Sequence, residues 1–139
     1  MKKSVHVFVQ NSQQYDDYAD QISTNSSGEY VANRNVHTIT YTEKLEGDCI
    51  VNNTLILKKD CAELHRTGGV TSQMMFDKGN TTDTEYLTSY GTLNFKIITM
   101  RYNAVIEDSH INVLIQYDLI HNGQKVSRNT LQFGIEIHE

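Results

Sequence analysis

The stretch YLTSYGTLNFKIIT at residues 86–99 leaves this chain few ways to fold. Tyr86, Thr88 and Tyr90 alternate on one side of an extended backbone, and beyond Gly91 the alternation resumes one residue out of step at Leu93, Phe95, Ile97 and Thr99. A strand that changes phase at a glycine is expected to be bulged or sharply bent. With both halves turned toward one interior, that interior is part apolar and part hydroxyl-lined, as in a sheet that curves until it closes on itself.

The rest of the chain repeats the period of two. Val5, Val7 and Val9 alternate with His6, Phe8 and Gln10 in a first strand. Residues 11–27, NSQQYDDYADQISTNSS, keep only Tyr15, Tyr18 and Ile22 as apolar marks. Their spacing predicts a short helix capped by Ser12, or else a polar loop, lying as a lid or plug across one open end. From Gly28 onward the segments 29–32, 37–43, 49–58, 61–67 and 70–76 read as strands, separated by turn residues such as Asn33-Arg34-Asn35, Gly47-Asp48 and Gly68-Gly69. Residues 101–108 read as a connection, and Ile111 to Leu119 and Asn129 to Ile137 as two further strands around the Asn122-Gly123 turn. This is an all-β chain of about eight to ten strands, an antiparallel meander closed into a barrel as one domain over 1–139.

Composition narrows the function classes. A formal net charge of -5 over 139 residues, with 12 scattered Lys and Arg, does not suit neutralisation of a phosphate backbone, so no nucleic-acid partner is expected. The opening Met-Lys-Lys leads into a strand pattern too short for a signal-peptide core, and no run approaches the ~20 apolar residues of a membrane helix, so a cytoplasmic chain without a membrane partner is expected. Cys49 and Cys61 form no CxxC or Cys/His cluster. Two separate thiols are expected, with a disulfide across a hairpin the alternative that a reducing compartment disfavours. The histidines at 6, 37, 65, 110, 121 and 138 show no HxH or HExxH spacing, and no cofactor-binding motif is present, so neither metal nor cofactor is expected.

The residues able to carry chemistry come from the faces of these strands. Arg66 shares a face with Ala62 and Leu64, and Glu43 shares one with Ile39 and Tyr41, which turns both charges inward. Either they pair with each other across the barrel, or Arg66 awaits a carboxylate or phosphate on a small ligand. Tyr86, Thr88, Tyr90, Tyr117, Thr54 and Asn129 complete a polar lining that orients a ligand or satisfies itself. Met74, Met75 and Phe76 read as core packing.

Tyr41-Thr42-Glu43, Leu64-His65-Arg66-Thr67-Gly68, Met75-Phe76, Tyr86-Leu87-Thr88-Ser89-Tyr90-Gly91, Thr99, Tyr117-Asp118 and Asn129 follow one another in an order and spacing that resembles the YwiB-like family of small bacterial β-barrels, a domain of unknown function. The resemblance implies a calycin-like, or lipocalin-like, barrel and carries no established activity. The functional expectation is a barrel that binds a small, partly apolar or anionic molecule in its interior through Glu43, Arg66, Tyr86, Thr88, Tyr90, Tyr117 and Asn129. The alternative is a non-enzymatic protein-interaction module with a packed barrel and an unspecified protein partner. No catalytic residue is assigned: hydrolase or isomerase chemistry at Glu43, Arg66 and the tyrosines would need a strongly perturbed carboxylate in an open cleft.

Overall fold

The computed structural model describes residues 2–88 and 90–138, apart from the side chains of Glu46 and Thr88. Among the described residues the period-two segments become ten strands: β1 (Lys2–Gln14), β2 (Ala19–Asn33), β3 (Val36–Leu45), β4 (Cys49–Leu57), β5 (Cys61–Gly68), β6 (Thr71–Asp77), β7 (Thr81–Thr88), β8 (Gly91–Ile106), β9 (His110–His121) and β10 (Gln124–His138). Each pairs antiparallel with the next, and β1 pairs with both β2 and β10, so the sheet closes into a barrel with no free first or last strand. A meander of this kind puts the turns after β1, β3, β5, β7 and β9 at one end, called here the upper rim. Both termini and the remaining turns lie at the other end.

Residues 86–99 form a hairpin, where a single bent strand was expected. Thr88 pairs with Gly91, Tyr86 with Leu93 and Thr84 with Phe95, so even-numbered residues of β7 face the same way as odd-numbered residues of β8. The change of phase is the arithmetic of a chain reversal. Gly91 takes φ 128°, a conformation that L side chains rarely adopt. Residues 11–14 and 19–27 are strand as well, joined by a turn at 15–18, so the expected helix is absent and a loop remains only at that turn. The β1–β2 ladder runs unbroken from Lys2 opposite Val31 to Gln14 opposite Ala19, and it satisfies backbone groups that an isolated short helix without an apolar stripe leaves to water. The expected connection at 101–108 is also mostly strand. β8 continues to Ile106, and a bulge between Thr99 and Arg101 shifts its inward set from Ile97 and Thr99 to Tyr102 and Ala104. Cys49 and Cys61 are free thiols at opposite ends of the β4–β5 hairpin, too far along the ladder to join.

The interior is graded from end to end. Near the termini Val5, Val7, Ile39, Leu57, Phe76 and Ile135 are each at most 3% exposed and form a solid hydrocarbon floor. Toward the upper rim the inward positions turn polar on strand after strand: Asn11 and Gln13 above Val9, Glu43 above Tyr41, Asn53 above Leu55, Arg66 above Leu64, Asn129 above Leu131. Full closure lets each strand hand over from hydrocarbon to polar groups at the same height, because antiparallel neighbours are locked in register.

The β2–β3 seam is incomplete. β2 pairs with β3 only from Gly28 to Asn33, and above Gly28 the two strands part. At that fork a Cβ on residue 28 would collide with the Thr40 carbonyl, so only glycine lets β3 approach. Gly28→Ala is therefore expected to cost about 1–3 kcal/mol through overpacking against backbone, read as a lower urea midpoint with an unchanged m-value.

Candidate functional site

Above the hydrocarbon floor the barrel encloses a cavity of about 320 Å³. Glu43, Arg66, Tyr86, Tyr117 and Asn129 line it, together with Tyr41, Asn53, Leu64, Met74, Leu131 and Phe133. The ring of Tyr117 rests on Phe76, with centroids 4.9 Å apart, which places its hydroxyl at the boundary between floor and cavity. The β1–β2 hairpin rises beside the mouth. Asn11, Gln13, Ile22 and Thr24 contribute its inner wall, and Tyr15 at its tip stacks on Tyr18 at 4.5 Å and donates a hydrogen bond to Gln13 at 2.7 Å.

Glu43 and Arg66 are joined, but loosely. An Arg66 Nη2 hydrogen bond reaches Glu43 Oε1 at 3.5 Å, and Asn53 sits between them, donating to Glu43 Oε1 at 2.9 Å while accepting from Arg66 Nε at 3.1 Å. Thr24 donates to Glu43 Oε2 at 2.6 Å, which ties β2 to β3 where their ladder has parted. The carboxylate is thus well served by three donors from three other strands. The guanidinium is not. Three of its five N–H groups, two on Nη1 and one on Nη2, have no partner among the described residues.

The phenols show the same surplus of donors. Tyr86 donates to Met74 sulfur at 3.3 Å, a weak acceptor. The hydroxyls of Tyr41 and Tyr117 have no hydrogen-bond partner among the described residues, although both side chains are buried. Burial pushes the pKa values of Tyr41 and Tyr117 well above the ordinary tyrosine value. For Tyr41 the charge of Glu43 adds to the effect, for Tyr117 the neighbouring Tyr86 does, and Arg66 opposes both. Burial raises Tyr86 too, again opposed by Arg66. All three remain protonated donors at neutral pH.

The other expected positions fall elsewhere. Tyr90, expected in the lining, is 99% exposed because it lies in the reversal between β7 and β8, not in a strand facing inward. The side chain of Thr88 lies outside the described structure, and Ser89 lies outside the described residues. Thr54 points outward, and its neighbour Asn53, 2% exposed, takes the inward place; the alternation Val51, Asn53, Leu55, Leu57 carried that signal. Met75 likewise faces out, 37% exposed, while Met74 and Phe76 are core.

A wider depression of about 620 Å³ lies on the outer wall, where β6 and β7 share only Thr71 opposite Leu87 and Ser72 opposite Tyr86. Below that point the hydroxyls of Thr82 and Thr84 donate to the Met75 and Gln73 carbonyls, standing in for missing ladder bonds. Its size exceeds that of the cavity, but its rim of Gln73, Asp83 and Glu85 is solvated and leaves those polar groups in water. No three His, Cys, Asp or Glu side chains among the described residues are grouped to hold a metal ion. No helix among them is long and apolar enough to cross a membrane.

Residues 7–133 match the family model described as a domain of unknown function, DUF1934. No curated protein matches the chain. Among solved structures it is similar to the crystal structure of the YwiB protein from Bacillus subtilis, with 20% sequence identity and a TM-score of 0.88 over 99% of this chain and 94% of that one. At that identity the likeness is one of fold.

Two outcomes follow from the geometry. Arg66→Met leaves Glu43 without its counter-charge and is expected to cost about 3 kcal/mol, the low end for breaking a buried pair, because part of the guanidinium is solvated. Adding Glu43→Gln should recover some of that loss in denaturant unfolding. For Tyr41 and Tyr117 the folded pKa values lie above the unfolded ones, so their contribution to stability is whole below about pH 10 and is lost as pH rises beyond it. Alkaline titration followed by ultraviolet absorbance should therefore show a class of phenols that ionises only together with loss of the folded circular-dichroism signal.

Proposed function

The chain belongs to the DUF1934 family, a domain of unknown function, and from that premise we propose that its barrel is a small-molecule binding protein whose site is the upper interior. One observation carries this reading: the cavity of about 320 Å³ is lined by buried donors that the protein itself does not use. A core serving stability alone pairs its polar groups or replaces them with hydrocarbon. The lower half of this barrel is built in that second way.

The site residues under this proposal are Glu43, Arg66, Tyr86, Tyr117 and Asn129, joined by Asn53 and Tyr41. Glu43 and Asn53 hold Arg66, which lines the cavity, through its Nε and Nη2 groups, a positioning role. Leu64, Met74, Leu131 and Phe133 supply an apolar wall against which the body of a ligand packs. At roughly 30 Å³ per water, the space equals on the order of ten water molecules, which sets the scale of the occupant. The rival reading, an interaction module with a packed barrel, draws less support because the upper interior is not filled.

A thermal-shift screen of small carboxylates, amides, alcohols and heteroaromatics tests the proposal. A true occupant at about 100 times its Kd adds about 2.7 kcal/mol and raises Tm by several degrees. Leu64→Phe, which fills the cavity from its wall, should abolish the rise while leaving the protein folded. A folded, monodisperse sample that responds to no compound, or a Leu64→Phe variant that responds as well as the parent, overturns the reading.

A further inference from the structure

We infer that the upper cavity selects a monocarboxylate with an apolar body, seated with its two oxygens on the free edge of Arg66 and on the hydroxyls of Tyr41, Tyr86 and Tyr117. The inference rests on the reading of that cavity as a binding site and names the chemistry the site takes.

Donors outnumber acceptors around the cavity. Among the described residues Arg66 has three N–H groups without a partner, Tyr41 and Tyr117 each have an O–H without one, and the O–H of Tyr86 meets only a thioether sulfur. Those six donors of the lining stand against one buried acceptor left without a partner, Asn11 Oδ1. On the acceptor side Glu43 is already engaged by Thr24, Asn53 and Arg66. The phenols are held protonated by burial, so they remain donors when an anion arrives. A group that satisfies such a wall has to offer several more acceptors than donors.

Three classes of group compete on these terms. An alcohol brings a donor of its own and a primary amide brings two, for which Asn11 Oδ1 is the one buried acceptor of the lining left unpaired, and neither answers the six donors. A neutral carbonyl accepts at two lone pairs and leaves most of the wall unsatisfied. A carboxylate offers about four lone-pair sites and takes a guanidinium edge bidentately, the geometry that Nη1 and the free Nη2 hydrogen present. Phosphate offers still more acceptors but carries more charge than this site neutralises. Among the cavity-lining residues Arg66 is the only cation, and its charge is already shared with Glu43 at 3.5 Å. A single negative charge delocalised over two oxygens is what one shared guanidinium and three phenols can hold. Below them Leu64, Met74 and Phe133 offer no polar partner, so the remainder of the molecule is hydrocarbon.

The test compares isosteres on the full chain at neutral pH: benzoate, benzamide and benzyl alcohol, then hexanoate and hexanamide, with inorganic phosphate as a further probe. Affinities are read by calorimetry, and location by amide resonance shifts at the cavity-lining residues. Carboxylates are expected to bind at least about tenfold more tightly than their amides, the span of a charge-assisted hydrogen bond or more. Tyr117→Phe keeps the ring on Phe76 and removes only the hydroxyl, so it should weaken benzoate by about tenfold while changing benzyl alcohol little. Arg66→Lys, which keeps the charge for Glu43 and loses the fork, should narrow the gap between benzoate and benzamide.

If an amide or an alcohol shifts the cavity resonances and binds as tightly as its carboxylate, the carboxylate assignment is overturned while the cavity stands as a binding site. If phosphate binds more tightly than benzoate, the assignment is equally overturned. If none of the probes shifts those resonances, both the assignment and the reading beneath it fail together.

Discussion

Closure through β1 and β10 is the constraint on which the rest of this structure depends. A closed antiparallel sheet has one inside, and every second residue of every strand is committed to it. Nothing can be tucked under a helix or rotated to a second face. Each inward side chain therefore either packs against hydrocarbon or finds a polar partner across the lumen. The floor from Val5 to Phe76 takes the first course, and the layer from Glu43 to Asn129 takes the second in part.

The polar layer bridges a gap in the ladder. β2 and β3 separate above Gly28, and in an open sheet such a gap would expose two strand edges. Thr24 and Glu43 close it with a side-chain bond of 2.6 Å, and Asn53 carries the connection on to Arg66 in β5. One buried carboxylate thus links β2, β4 and β5 around β3. The same arrangement fixes the guanidinium by its Nε and Nη2 side, so its conformational freedom is already spent before anything enters the cavity. A donor held in place costs a ligand less entropy than a mobile one.

Much of the architecture was legible in the sequence, and the failures share a cause. Alternation placed Ile39, Tyr41 and Glu43 on one face, and Ala62, Leu64 and Arg66 on another, where the structure has them. At residues 86–99 the pairing puts Tyr86 on the face of Leu93 and Phe95, as alternation has it, but a chain reversal and a bend leave the same mark in an alternating sequence. Tyr90 was misplaced for that reason. Residues 11–27 were misread because their strands are polar on both faces near the rim, and periodicity vanishes when neither face is hydrocarbon. The gradient itself was present and unread: in the rising strands β1, β3 and β5 the inward residues turn polar toward the C-terminal end, as in Val9, Asn11, Gln13. In the falling strands β4, β6 and β10 they do so toward the N-terminal end, as in Asn53 before Leu55 and Asn129 before Leu131. In a meander those opposite trends coincide at one rim. Asn53 follows from that rule, and Thr54 is excluded by it.

The gradient also separates a structural account of the polar layer from a functional one. A structural tie across the β2–β3 gap needs Glu43, Thr24 and one cation, and it is complete once Asn53 has joined them. Tyr41 and Tyr117 add nothing to that tie, since neither hydroxyl bonds to it or to any other described group. Neither oxygen is among the fully buried polar atoms left without a partner, so both hydroxyls open onto the cavity. Phenylalanine would fill both places with the same carbon skeleton and no unused donor. Two phenols and the unengaged half of a guanidinium, all at the height where six strands turn polar together, are therefore donors with no use inside the protein. Such a surplus is intelligible when the missing partner comes from outside the chain.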